Sequence, residues 1–376
     1  MYRGGMTRSQ NLMVAAVVFV AALLVVGVML WPQDKAQREA ENARNVLVEP
    51  SDEPTVARSL QALRQRAHTV DAGEIPQASG TGQGSVFATF GWGSGEGQLA
   101  HKRPDEANPE GPMSLALDKY GNVTVLDQVN DRVVKLDKTG KVVGSTPLTV
   151  QGAQDLTVAA DGTTLVLDRV IDKSVAVIGA DGKLIGELKL EGKNLEEGGA
   201  ATGVFTDGED VYVEREHGDL VKIGTTKGKV DAEREEVPGR ISRDGTAYLT
   251  AGIAVMGEDR VYVGAIEKAS RQQRFQREYR LGTPVTGLML LDTDRSGVIY
   301  LGALTMVPVP GKDEPRPMVL LLCLDPLDGR PLGRAELPAN MNADETFREL
   351  VVMDEGGVLY LYRTAEKAQI QKYDCR

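Results

Sequence analysis

Beyond residue 86 the apolar positions of this 376-residue chain come in short runs broken by glycine-bearing turns, whereas residues 12–31 form one unbroken apolar stretch. The first pattern is that of β-strands, the second that of a helix. Residues 12–31 read LMVAAVVFVAALLVVGVMLW, 20 residues without a charge. At about 1.5 Å rise per residue they match a hydrocarbon core of roughly 30 Å. A cleaved leader would have a shorter apolar region ending at a small-x-small site, and none follows Trp31. The run therefore predicts one transmembrane helix lodged in the lipid bilayer. Arg3 and Arg8 precede it without an acidic residue, while Asp34, Lys35, Arg38 and Glu39 after it cancel. That asymmetry places residues 1–11 in the cytoplasm and the rest outside it, with Trp31 at the membrane boundary.

Residues 32–85 predict a stalk rather than a globular unit. A charged stretch at 34–44 leads into EPSDEP at 49–54. Within 55–68, Val56, Leu60 and Leu63 fall at i, i+4 and i+7, the pattern of a short amphipathic helix capped by Thr55. ASGTGQGS at 78–85 is flexible by composition and marks the domain boundary.

The strand-like region repeats itself. Residues 113–144 (MSLALDKYGNVTVLDQVNDRVVKLDKTGKVVG) give three strands and the start of a fourth, and residues 155–190 repeat them with Asp161-Gly162 and Leu167-Asp168 in register with Gly121 and Leu126-Asp127. Later copies keep the turn before the second strand: Asp207-Gly208 before VYVERE, Glu258-Asp259 before VYVGAI, Asp294 to Gly297 before VIYLGAL, and Glu355 to Gly357 before VLYLYR. The copies step by about 36 to 60 residues, which puts insertions chiefly at 264–282 and 305–318. Four-stranded units of this size bury both faces only against neighbours in a ring. The last copy has three strands before the chain ends, and VFATFG at 86–91 is an orphan strand that would complete it and remove an exposed edge. The expected fold is all-β, a six-bladed β-propeller over residues 86–376.

FGWGSGEGQLAHKRP at 90–104 followed by GPMSLALDKYGNVTVLDQVNDRVVKLD resembles the opening of NHL-repeat propellers, with Gly121, Asn122, Val125, Asp127, Asn130, Arg132 and Val133 on that family's characteristic positions. The second copy keeps Asp168 but has Lys173 and Ser174 near the arginine position, and the later copies lose the trio. The resemblance implies a scaffold that binds a ligand on one face, with enzymes a minority of the family.

Composition narrows the function. Lys plus Arg number 43 against 54 Asp plus Glu, a formal charge of −11, which excludes nucleic acid as the expected partner. The 42 glycines and 5% aromatics suit a fold of many tight turns. His68, His101 and His217 stand at no metal-ligand spacing, and only Asp127 and Asp168 occupy equivalent strand ends, so neither a metal nor a cofactor is expected. GWGSGEG at 91–97 lacks the strand-loop-helix context of a phosphate loop and reads as a turn. No residue set forms a catalytic constellation.

The trio Asp127, Asn130 and Arg132 reads as structural, the carboxylate and amide bonding turn amides and the arginine tying strands together, and Asp168 shares that reading. Cys323 and Cys375 fall on the third strands of adjacent blades. They could couple in an oxidising compartment if their Cα atoms come within about 7 Å, or Cys323 could be plain core. The segment SRQQRFQREYR at 270–280 concentrates Arg271, Arg274, Arg277 and Arg280 around Phe275 and Tyr279 in an otherwise acidic chain. It is the candidate binding segment for an anionic polymer or acidic partner, the alternative being a solvated outer strand. The sequence thus predicts a membrane-anchored propeller displayed in the periplasm or outside the cell, binding an envelope protein or polymer. The rival reading is a metal-dependent hydrolase or lyase with its site at the central channel.

Overall fold

The second strands of the blades are largely apolar because a blade on either side covers both of their faces. Val123–Asp127 and Thr164–Asp168 are buried at every position, whereas outer strands such as Leu184–Lys189 are mostly exposed. The computed structural model describes residues 69–78, 84–106, 108–255, 257–340 and 344–376. The expected cytoplasmic segment at 1–11, membrane helix at 12–31 and stalk helix at 55–68 lie outside the described residues. Among the described residues, no helix is long and apolar enough to cross a membrane.

Six antiparallel sheets form a six-bladed propeller. Blade one is Ser114–Leu117, Val123–Asp127, Arg132–Leu136 and Val142–Pro147; blade two is Asp155–Val158, Thr164–Asp168, Ser174–Ile178 and Leu184–Lys189. Blade three is Ala201–Asp207, Asp210–Arg215, Leu220–Thr225 and Glu236–Val237; blade four is Arg240–Ile241, Ala247–Ile253, Arg260–Glu267 and Gln273–Arg280. Blade five is Val285–Thr293, Ile299–Val307, Arg316–Leu324 and Pro331–Pro338. Blade six is Leu350–Val352, Val358–Arg363 and Lys367–Tyr373, and Ser85–Trp92 pairs antiparallel with its third strand to supply the fourth.

An apolar cluster fills each interface between neighbouring blades. The smallest lies between blades three and four, where only Tyr212, Leu220, Val237 and Tyr248 are fully enclosed. Apolar burial scales with area removed from water, so this seam gains least from apolar contact, and the Arg240–Glu214 and Lys268–Asp207 pairs add polar ties across it.

Three features depart from the sequence expectation. The turn between first and second strands of blade four is Asp244-Gly245; Glu258-Asp259 instead joins its second and third strands. Residues 264–282 hold no large insertion but most of that blade's third and fourth strands. Residues 69–78, expected in the stalk, lie against the propeller: Thr69–Asp71 pairs parallel with Gln273–Arg280, and Ile75 is buried in the seam between blades four and five. Ala78 N then donates to Arg334 O at 2.8 Å, and Arg334 N to Pro76 O at 3.1 Å, on the outer strand of blade five. Residues 69–78 therefore strap blades four and five, and Ser85–Trp92 is the outer strand of blade six.

A closed channel and an open cleft

The six inner strands converge on a central channel lined by ion pairs, in which Asp155 and Glu214 are buried and their arginine partners half-buried. Asp155 of blade two accepts from Ser114 Oγ at 2.6 Å, Val204 N at 2.9 Å and Arg348 Nη2 at 2.5 Å. One carboxylate thereby ties blades one, two and three to the strand leading into blade six. The guanidinium of Arg348 lies 4.7 Å from the Phe205 ring centre and that of Arg240 lies 5.0 Å from the same ring. Arg240 grips Glu214 through two contacts of 2.6 and 3.1 Å and donates to Leu291 O at 3.0 Å. Burial opposes ionisation of Glu214, but the Arg240 charge and hydrogen bonds from His217, Arg240 and Thr202 outweigh it and hold its carboxyl down at about 2. Towards the face that carries the turns between first and second strands, Arg243 pairs with Asp292 at 2.6 Å and with Asp354 at 3.1 Å. A cavity of only about 80 Å³ remains along the axis. Asp155, Glu214 and Asp292 each face an arginine, Arg348, Arg240 and Arg243 respectively. Among the described residues, the one group with metal-like spacing is Cys323, Asp374 and Cys375, and its two sulfurs are bonded to each other.

The opposite face carries the opening. Only Pro238 and Gly239 connect blade three to blade four, where residues 148–154 make the corresponding step into blade two. Gly239 sits at φ +106°, and a Cβ there would fall 2.3 Å from Leu249 O, so the chain crosses in close contact with the next blade. It arrives halfway down, and the inner strand of blade four has only Arg240 and Ile241, paired with Leu249 and Tyr248. The second strand runs on to Ile253 with no inner neighbour among the described residues. The missing half-strand leaves a cleft of about 600 Å³, within the roughly 300–1,000 Å³ usual for ligand sites.

One wall of the cleft is the blade-three loop Glu216, His217, Gly218 and Asp219; the other is Gly287, Leu288, Leu290 and Leu291 of blade five. Glu216 and His217 both adopt left-handed backbone, at φ 50° and 59°. Glu216 N donating to Ala200 O and His217 N to Thr202 Oγ1 hold them there. Consecutive non-glycine residues in that region are strained, and such strain concentrates at functional sites. Burial, followed by hydrogen bonding and repulsion from Glu236, raises the Asp219 carboxyl above its ordinary value despite Arg215 nearby. Asp219 and Glu236 share the one Arg215 guanidinium, at 3.9 and 3.2 Å, and Glu216 beside them is exposed, so this wall keeps an excess of negative charge.

The residues expected to bind a partner lie elsewhere, along the outer strand of blade four. Arg274 pairs with Glu267 at 2.5 Å and donates to Pro326 O, Arg277 donates to Asp328 O, and Arg271 stacks 4.7 Å over Tyr248. Phe275 and Tyr279 point into the seam with blade five, Tyr279 Oη donating to Gly329 O at 2.5 Å. Arg280 is exposed and borders a hollow beside Glu258 and Asp259. The NHL-like trio converges in blade one: Asp127 accepts from Ala100 N at 2.9 Å, Asn130 Nδ2 at 2.8 Å and Arg132 Nε at 2.7 Å, and Arg132 donates onward to Ser94 O and Gln98 O. It clamps the loop that follows the closing strand. Asp168 accepts from Val170, Ile171 and Asp172 N–H groups in its own turn. Cys323 and Cys375 are joined as a disulfide, Cα to Cα 5.7 Å, between blades five and six. Sequence reasoning missed Arg240, Glu214, Phe205, Arg348 and the whole cleft. The available signal was the tripeptide Asp-Gly-Thr, shared by 161–163 and 244–246, which marks the true blade-four turn and exposes how little chain precedes it.

No protein-family model matches the chain, and no curated protein does. Among solved structures it is similar to the hydrazine synthase of Kuenenia stuttgartiensis, at 18% identity over 70% of this chain and 78% of that one with a TM-score of 0.45. The C-terminal WD40 domain of Sif2 gives 11% identity, 73% and 84% coverage and a TM-score of 0.40. Virginiamycin B lyase from Staphylococcus aureus gives 10%, 73%, 99% and 0.39.

Proposed function

We propose that this chain is a membrane-anchored propeller of NHL type that binds a protein or polymer of the cell envelope through the cleft beside blade four. The observation that carries the reading is the two-residue inner strand of that blade, which leaves the edge of its second strand facing a cavity of ligand size. The channel supports a structural rather than catalytic role, because its carboxylates are taken up by arginines. Anchoring rests on the apolar run at 12–31, and an extracytoplasmic location accords with the Cys323–Cys375 bond, since disulfides persist in oxidising compartments.

The test is crosslinking capture from the native envelope with the full-length, C-terminally tagged protein, its Gly287→Trp variant and its Arg271→Ala/Arg280→Ala variant. A Cβ at Gly287 meets nothing within 4 Å, so a large side chain there fills the cleft without displacing the fold. The expected result is a specific partner retained by the arginine variant and lost with Gly287→Trp. Loss only with the arginine variant would move the site to the outer strand.

A further inference from the structure

We propose that the cleft receives an extended peptide of alternating apolar and basic residues, which pairs with the open edge at 250–253 and completes the inner strand of blade four. This inference rests on the cleft being the recognition site and names what it recognises.

The ladder fixes which backbone groups are on offer. Ser242 N donates to Ala247 O on the inner side of the second strand, and Ala254 N donates to Arg260 O on its outer side. The pairing of that strand with Arg260–Glu267 runs without a register shift, so sides alternate strictly along it. Residues 247, 249, 251 and 253 therefore turn their backbone groups inward. Arg240 meets Leu249, but no strand meets Ala251 or Ile253 among the described residues. Their N–H and C=O groups form a short template of the kind that accepts a strand from another chain.

The walls set the side chains. An added strand lies in the plane of blade four, so its alternate residues face blade three and blade five. The blade-five wall is apolar, with Leu288 and Leu290, and at Gly287 it leaves room for a large side chain. The blade-three wall keeps an excess of negative charge: Glu216 is exposed, and Asp219 and Glu236 behind it share the single Arg215 guanidinium, at 3.9 and 3.2 Å. Every second residue of the occupant is then apolar and the intervening ones are lysine or arginine. Recessing the edge between two walls also limits it to a single extended segment, in place of the open-ended pairing an exposed edge invites.

The experiment uses the full-length protein in detergent and a fluorescein-labelled nonapeptide of alternating valine and lysine, followed by anisotropy and by hydrogen exchange read by mass spectrometry. The parent is expected to bind it and to gain protection at residues 249–254. N-methylation of the peptide nitrogens that face the edge, which removes more than one hydrogen bond, is expected to weaken binding by about tenfold or more, and Ala251→Pro, which removes one donor, by about fivefold. Ala251 N–H has no ladder partner to lose, so proline there leaves the ladder to the third strand intact. Glu216→Lys should shift preference towards a valine-glutamate peptide. Equal binding of the N-methylated peptide, protection elsewhere on the propeller, or no binding by the parent overturns the inference. If in that case envelope capture still depends on Gly287→Trp, the cleft remains the recognition site and only the extended-strand mode falls; if capture is also insensitive to Gly287→Trp, both readings fall.

Discussion

Blades two and four turn from first to second strand on the same tripeptide, Asp-Gly-Thr, at 161–163 and 244–246, yet one is complete and the other open. In blade two the inner strand Asp155–Val158 pairs along its length with the second strand, and Asp155 anchors three neighbouring blades. In blade four a two-residue crossing delivers the chain too low, and Arg240 and Ile241 are all that remain of the inner strand. The difference teaches that a propeller makes a cleft without inserting anything: shortening one connection exposes half a strand, while an arginine, here Arg240 on Glu214, closes the axis beneath it.

The sharpest way to break this contrast is to remove the blade-two anchor. Asp155→Ala leaves Arg348, whose side chain is 19% exposed, without its carboxylate, together with the Ser114 hydroxyl and Val204 N–H. The expected loss is about 3–5 kcal/mol, read as a lower urea midpoint. A midpoint close to the parent's would show that the channel network does not hold the ring. Next, reducing Cys323–Cys375, which closes a 52-residue separation between blades five and six, should cost about 3–4 kcal/mol. Calorimetry with and without dithiothreitol checks this, and identical transitions would refute it.

Acid tests the blade-four side. Glu214 ionises at about 2 in the fold against an ordinary value of 4.5. A lowered folded value means that its contribution is fully present above pH 4.5 and is lost as pH falls towards 2. The expected loss over that window is about 3 kcal/mol, and Glu214→Gln should flatten that part of the stability profile. A profile unchanged by the substitution would mean that the Arg240 pair contributes nothing. The smallest effect compares two glycines. Gly239→Ala, at φ +106° against Leu249 O, should destabilise by about 1–3 kcal/mol, while Gly287→Ala, which meets open space, should stay within about 0.5 kcal/mol. Equal effects on thermal unfolding would show that the short crossing is not the constraint.

Much of the architecture was legible because it is written locally. The Gly121, Gly162, Gly208 and Gly297 turns and the apolar second strands recur at readable intervals, and the strand near 86–91 stood out as unpaired. The strap was not legible, since 69–78 carries one buried anchor, Ile75, in otherwise linker-like composition. Nor was the state of the arginine-rich strand. Its partners Glu267, Asp328 and Tyr248 belong to other strands and another blade, so the same residues read as a free basic patch along the chain and as internal ties in space.

The sequence by itself determined an all-β repeat of six units and an apolar run long enough for a bilayer, because strand periodicity, turn glycines and apolar length are properties of short segments. Only the tertiary structure decided where the open edge lies, which charges are matched and where the strap runs. Those depend on the height at which one blade hands the chain to the next and on which distant side chains then meet, and neither quantity is carried by a local pattern.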